Sequence, residues 1–296
     1  MNQLEGFQAH RWMADTPETD NLSLFELTLP GTHNAGCDME ASYALLPGRH
    51  WLACQDVPIF AQLNRGSRAL DVRLGYDASA QGLARFRFQH NGYLSSRTLE
   101  DLVREINAFY EMSRDEFIVL DFHELGTDSD HFDHPEFIQM ILEHLRERII
   151  PAQNLHMTLG ELKAISRSQR IMVAGPTISF HDPYHFYRRI NHQWAGHDEV
   201  STLELRLHIA KVLASPPNNL NPWSLSATSF SLTEGPRRIL GNLDSWFDPA
   251  KSDWASKCNI INFDFIKNSK IVRFCQKANI QKALYKTIQP LQIQQH

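Results

Sequence analysis

The sequence predicts an α/β chain folded as a distorted, incomplete (β/α) barrel in a single domain, and three observations predict it. Short apolar runs alternate with segments of helical period along most of the chain, which is the pattern of βαβ units around a parallel sheet. Six or seven such strands occur without the GxGxxG turn of a dinucleotide-binding sheet, which favours closure over an open doubly wound sheet. The 296 residues suit one barrel of about 250 residues with additions. No repeat, low-complexity tract or Gly/Ser linker divides the chain. Residues 1–296 are therefore expected to form one domain, with 1–20 as a lead-in and 268–296 as a C-terminal helix and tail.

The elements follow in order. Arg68-Ala69-Leu70-Asp71-Val72-Arg73 reads as a strand, and Phe86 to His90 as the next after a Gly-containing turn. A helix starts at Thr98, where Thr98 and Asp101 make a capping box and Leu99, Leu102, Val103, Ile106 and Tyr110 share one apolar face. Phe117 to Phe122 is dense enough for a parallel strand covered on both faces. Pro135 opens a helix whose Phe137, Ile138, Ile141, Leu142 and Leu145 recur at three-four spacing. Arg170 to Ala174 is a strand, Ser201 to Leu213 a helix, Leu225 to Leu232 an alternating strand and Asn259 to Asp264 the last strand, with a final helix around Ile271 to Tyr285. Phe180 to Val200 and Pro216 to Asn219 read as long loops over one face. In barrels the face at the strand C-termini holds the chemistry.

Composition narrows the function classes. Hydrophobic residues make up 42% and charged residues 21%, which is ordinary for a globular chain with a sizeable core. A formal net charge of −5 without a long run of like charge argues against nucleic acid and against polybasic attraction to anionic lipid. Membrane contact is then expected to be transient and apolar. Met1 to Phe7 lacks a secretion signal and no window is long enough to span a bilayer. A soluble chain is expected, cytoplasmic or exported without a classical signal, peripheral to membranes and monomeric. Cys37, Cys54, Cys258 and Cys275 form no CxxC pair, so neither a zinc site nor a disulfide framework is indicated.

Polar residues worth explaining fall at strand ends. Leu27 to Thr32 runs into a turn carrying His33, and His90 closes its strand. Asp71 and Arg73, two apart on one strand, share a face. They read either as pocket residues or as a structural ion pair. Asp264 lies in an apolar run, where an unpaired carboxylate would cost several kcal/mol, on the order of the burial cost of an ion, so it needs a partner, and His33 is the one expected.

Pro-Gly-Thr-His ending at His33, Arg-Ala-Leu-Asp-Val-Arg ending at Arg73, Phe-Gln-His-Asn-Gly around His90 and Ile-Asn-Phe-Asp-Phe at Asp264 occur in this order. Together they resemble the X domain of phosphatidylinositol-specific phospholipase C, particularly the bacterial single-domain form. The resemblance covers nearly the whole chain from Trp12 onward. It implies a phosphodiester-cleaving enzyme in which His33 is the general base, Asp264 its orienting carboxylate, Arg73 the partner of the phosphate oxygens and His90 the general acid. Acid and base must start in opposite protonation states, so activity is expected to be bell-shaped in pH around the ordinary histidine value of about 6.5. Arg73 stands where calcium-dependent relatives place a carboxylate, which implies no calcium requirement, no metal ligands and no cofactor. Asn34 follows the histidine as in the metal-dependent branch, so the general acid needs another partner, of which Asp71 is nearest. His123 replaces a headgroup-binding lysine, and Asn34, His123 and Glu124 are expected to contact the phospholipid headgroup.

Other readings stay open: a metal-dependent phosphodiesterase of glycerophosphodiesters or other phospholipids, or a headgroup-binding barrel weakened in catalysis. The acidic loop at 127–134, His181-Asp182 and His197-Asp198 are read as loop or rim residues rather than metal ligands. Trp194, Trp223, Trp246 and Trp254 are candidates for a lipid interface, with core packing the competing reading.

Overall fold

The computed structural model describes residues 7–43, 49–126, 131–176, 182–197, 199–230, 237 and 239–293. The first part of the acidic loop at 127–130, His181, Asp198 and the 231–232 end of one expected strand lie outside the described residues. The chain runs β1 (Leu29–Thr32), α1 (Arg49–Leu52), α2 (Ile59–Asn64), β2 (Ala69–Tyr76), β3 (Phe86–His90), β4 (Tyr93–Thr98) and α3 (Leu99–Met112). It continues through β5 (Ile118–Leu125), α4 (His134–Leu145), α5 (Leu159–Ile165), β6 (Ile171–Ala174), β7 (Phe186–Tyr187) and β8 (Asn191–Gln193). It ends with α6 (Thr202–Ala214), β9 (Trp223–Ser226), α7 (Ile239–Trp246), α8 (Trp254–Lys257), β10 (Ile260–Phe263) and α9 (Ile271–Ile293).

Eight strands form one curled parallel path in the order β7-β6-β5-β2-β1-β10-β9-β8. The path ends at β7 and β8, which follow one another in the chain without pairing, so the expected barrel is present and incomplete. The strands β3 and β4 lie off the path as an antiparallel hairpin on β2. Its turn is Asn91-Gly92, both at positive φ, the pair that a two-residue hairpin with native twist demands.

Strand alternation explains both core and site. On β2 the side chains of Leu70, Val72 and Leu74 join an outer apolar layer with Phe109 of α3 and Phe137 of α4. Ile118, Leu120 and Phe122 of β5 do the same. The other face of each strand begins apolar at Ala69 and Val119 and turns polar toward the C-terminal end, at Asp71 and Arg73 and at Asp121 and His123. The barrel is thus apolar at its base and charged at its mouth.

The expected helices at Thr98 and Pro135 form with their caps: Thr98 and Asp101 make the capping box, and Asp133 accepts from the Glu136 amide. Two expectations are corrected. The alternating strand at Leu225 to Leu232 is only Trp223–Ser226, because past Ser226 the chain leaves β10 after a last bond from the Ala227 amide to Asn262. The stretch from Phe180 to Val200 is no simple loop, since β7 and β8 lie within it and end the sheet. The lead-in at 1–20 is built into the core from residue 7: Trp12 is buried with its indole bonded to the Gly66 carbonyl, and Arg68 binds the Ala9 and His10 carbonyls while pairing with buried Glu116.

Candidate active site

Register places the first pair of groups. Gly31 of β1 lies opposite Asn262 of β10, so extending both strands by two residues sets His33 beside Asp264. His33 Nδ1 stands 2.8 Å from Asp264 Oδ1. A carboxylate can only accept, so Nδ1 carries the proton and Nε2 is left with a lone pair. Gly31 permits this approach, because a Cβ there would meet Asn262 Oδ1 at 2.6 Å.

His90 faces His33 edge-on, with ring centroids 6.0 Å apart. Its Nδ1 lies 3.0 Å from the Leu52 carbonyl and 3.6 Å from Cys54 Sγ. The carbonyl makes Nδ1 the donor, so in the neutral ring Nε2 is again a lone pair. Burial, together with the neighbouring His33, pushes His90 down to about 4, below the ordinary histidine value. The partner expected for His90, Asp71, is not the one found.

The segment holding these groups was missed in the sequence. Gln55 donates its amide to the carbonyls of both His33 and Phe263 and accepts from the Ile266 amide. Phe265, at positive φ, donates its own N–H to the Cys54 carbonyl. Residues 52–55 therefore tie the ends of β1, β3 and β10 together.

Asp71 and Arg73 form a two-pronged pair, at 3.2 Å from Nε to Oδ1 and 3.1 Å from the terminal nitrogen to Oδ2. Burial opposes the charge of Asp71, but Arg73, His123 and His33 outweigh it and hold the carboxyl well below the usual carboxylate range. Asp71 Oδ2 also accepts the Asn34 amide and lies 3.9 Å from His33 Nε2. The Asn34 side chain turns away from the mouth, fully buried with its amide on the Gln89 carbonyl, so its expected headgroup contact is not made from this position. Glu124 is half-buried, 4.0 Å from Arg73, and does not line the cavity.

His123 owes its place to a bulge. Val72 pairs with Phe122 and Arg73 with Glu124, which leaves His123 as the extra residue of β5. Its ring lies 3.9 Å from that of His192, whose Nε2 is 2.6 Å from Asp121 Oδ2. Burial pushes His123 down to about 3 and pushes Asp121 up despite its imidazole partner. Neither Asp121 nor His192 stands out in the sequence, the first hidden in an apolar strand and the second in an aperiodic stretch.

His33, Arg73, His90, His123, His192 and Asp264 all open on one cavity of about 840 Å³. No protein-family model matches the chain. A phosphatidylinositol-specific phospholipase C variant from Staphylococcus aureus superposes with a TM-score of 0.68 at 14% identity, covering 92% of this chain and 97% of that one. The enzyme of the same name from Listeria monocytogenes gives 0.63 at 15% identity, with 93% and 99% covered. The chain has the fold of the bacterial phosphatidylinositol-specific phospholipases C. In sequence, it is 33% identical over 129 residues to the variant-surface-glycoprotein phospholipase C of Trypanosoma cruzi, a match over 42% of this chain and 33% of that relative. The chain thus spans about a third of the curated relative it matches.

At the rim of this barrel, Trp51, Tyr93 and Trp194 line the cavity and are also exposed to solvent. Of the tryptophans singled out from the sequence, Trp194 lies here, Trp223 is buried, and Trp246 and Trp254 pack on the core. The described part of the acidic loop caps α4, with Asp133 as its N-cap. Asp182 binds His185, and His197 binds the Glu199 carbonyl. No helix among the described residues is long and apolar enough to cross a membrane.

Proposed function

We propose that this chain is a phospholipase C-like phosphodiesterase that cleaves phosphatidylinositol by attack of the inositol's own hydroxyl on phosphorus. The observation that supports this reading is the carboxylate-backed His33 facing His90 across one cavity with Arg73 in its wall. His33 Nε2 takes the proton of the 2-hydroxyl as its oxygen bonds to phosphorus. Asp264 keeps the tautomer and stabilises the imidazolium formed. Asp71 presents the Arg73 guanidinium to the non-bridging oxygens, whose charge grows in the transition state. As the bond from phosphorus to the glycerol oxygen breaks, His90 gives its Nε2 proton to that oxygen. The products are diacylglycerol and a cyclic inositol phosphate.

The base assignment follows from the backing groups. Asp264 fixes the His33 tautomer that offers Nε2 to a proton, whereas burial and the neighbouring His33 disfavour the cationic form of His90 despite its hydrogen bond to the Leu52 carbonyl. His90 must therefore acquire its proton when the anionic phosphate enters, which makes substrate binding and charging of the acid one event. Arg73 takes the electrostatic task of a divalent ion, so activity is independent of calcium.

Phosphorus NMR on phosphatidylinositol, phosphatidylcholine and glycerophosphoinositol, with and without EDTA, tests the reading. Expected are a cyclic phosphate signal from phosphatidylinositol, unchanged by chelator, and a loss of about 10³-fold or more in His33→Ala. Abolition by EDTA would favour the metal-dependent reading. No turnover of any phospholipid would favour a headgroup-binding barrel.

A further inference from the structure

We propose that Asp121, His123 and His192 form a site for one divalent transition-metal ion of the zinc class, separate from the His33–His90 pair. One ligand atom from each of the three lies within 4.8 Å of the others. Two imidazoles and a carboxylate are the donor set of a borderline ion, and three protein donors leave a coordination position free. That position faces the cavity, because His123 and His192 form part of its wall while Asp121 lies behind them.

A second, independent observation points to a ligand. Asp121 is only 3% exposed, yet among the described residues its Oδ1 has no hydrogen-bond partner, and neither has His123 Nδ1. The 2.6 Å bond from His192 satisfies one carboxylate oxygen and leaves the other bare. Such groups are costly to bury unpartnered, and a cation would satisfy both. The nearest cation of the wall, Arg73, is already neutralised by Asp71, and Arg189 is tied to the His123 carbonyl.

The competing cluster, His33 with Cys54 and Asp264, suits an ion less well. Its third donor is a thiol that burial holds protonated, whereas a ligand must be thiolate. The two clusters differ in one visible way, since only the second offers sulfur.

Zinc titration of the full chain against a chromogenic chelator, with cobalt as spectroscopic probe, decides the matter without measuring turnover. Expected are one zinc equivalent and a cobalt spectrum of a nitrogen and oxygen site without a thiolate charge-transfer band. His192→Gln and His123→Gln should each weaken zinc by about 100-fold or more, as loss of a ligand exceeds loss of an outer-shell partner. Their circular dichroism should match the parent, since both rings face the cavity. Absence of stoichiometric zinc, an affinity unchanged from the parent in both variants, or a thiolate band that disappears in Cys54→Ser would overturn the proposal.

Discussion

At the level of single residues, the site is a set of pairs in which one member fixes the other. Arg73 is the clearest case, because its guanidinium reaches both Asp71 oxygens and a lysine has no second prong. Arg73→Lys should keep the charge but lose the fixed fork, lowering kcat by about 10²–10³-fold with a smaller change in KM; equal kcat in the variant would remove Arg73 from the chemistry. The buried imidazoles carry a stability consequence as well. Unfolded histidines bind protons near 6.5, whereas His90 and His123 do so only near about 4 and about 3. Between those values the unfolded chain holds more protons, so stability rises with pH. This contribution is complete above about 6.5 and is lost progressively as pH falls below it. The urea midpoint should drop from pH 7 to pH 5, and the drop should shrink in a His90→Gln, His123→Gln double variant. A midpoint flat over that range in the parent would contradict the burial argument.

Elements bring these residues together through register, and β1 on β10 is the contact that sets the geometry. A methyl on Gly31 would press on Asn262 Oδ1 at 2.6 Å and the Ile261 carbonyl at 3.2 Å, with backbone that cannot yield like a flexible side chain. Gly31→Ala should cost about 1–3 kcal/mol of overpacking and reduce turnover beyond that by parting His33 from Asp264. A denaturation curve with unchanged midpoint would show that the strands part freely. The same local logic explains what the sequence displays and what it hides. Runs such as Phe117 to Phe122 and stripes such as Leu99 to Tyr110 carry their period openly, and β5 and α3 form where expected. His33, Arg73, His90 and Asp264 reach one cavity, as the order of their motifs leads one to expect. Asn91-Gly92 signals a hairpin by its turn chemistry, but the strand beyond it, β4, is too polar to announce itself. Strands of two and three residues, β7 and β8, are too short to show a period at all. Gln55 and His192 act through contacts 208 and 71 residues away, and no local pattern encodes such distances.

Over the whole molecule, the proposed phospholipid substrate must reach a cavity whose chemistry lies among charged side chains. The chain is acidic overall, with a formal charge of −5, so attraction to an anionic surface is not available as a driving force. The mouth offers apolar area instead. Trp51 and Trp194 are each 51% exposed and Tyr93 43%, and Trp51 is braced edge-on by Phe230 at 5.4 Å. Indole and phenol rings favour the bilayer interface, where an apolar body and a polar edge are both satisfied. A barrel resting on this rim would present its cavity to the headgroup layer while its base, closed by the lead-in around Trp12, stays in water. Partitioning onto neutral phosphatidylcholine vesicles should then change little between low and high salt, the opposite of an electrostatic contact. Trp51→Ala and Trp194→Ala should each weaken partitioning by about tenfold, the equivalent of roughly 1.4 kcal/mol of lost apolar burial. Turnover of a short-chain, monomeric substrate should fall by less than turnover of vesicles, because the rim meets the surface while His33 and His90 meet the phosphate. Binding that collapses with added salt, or variants that bind vesicles as the parent does, would place the lipid contact elsewhere on the molecule.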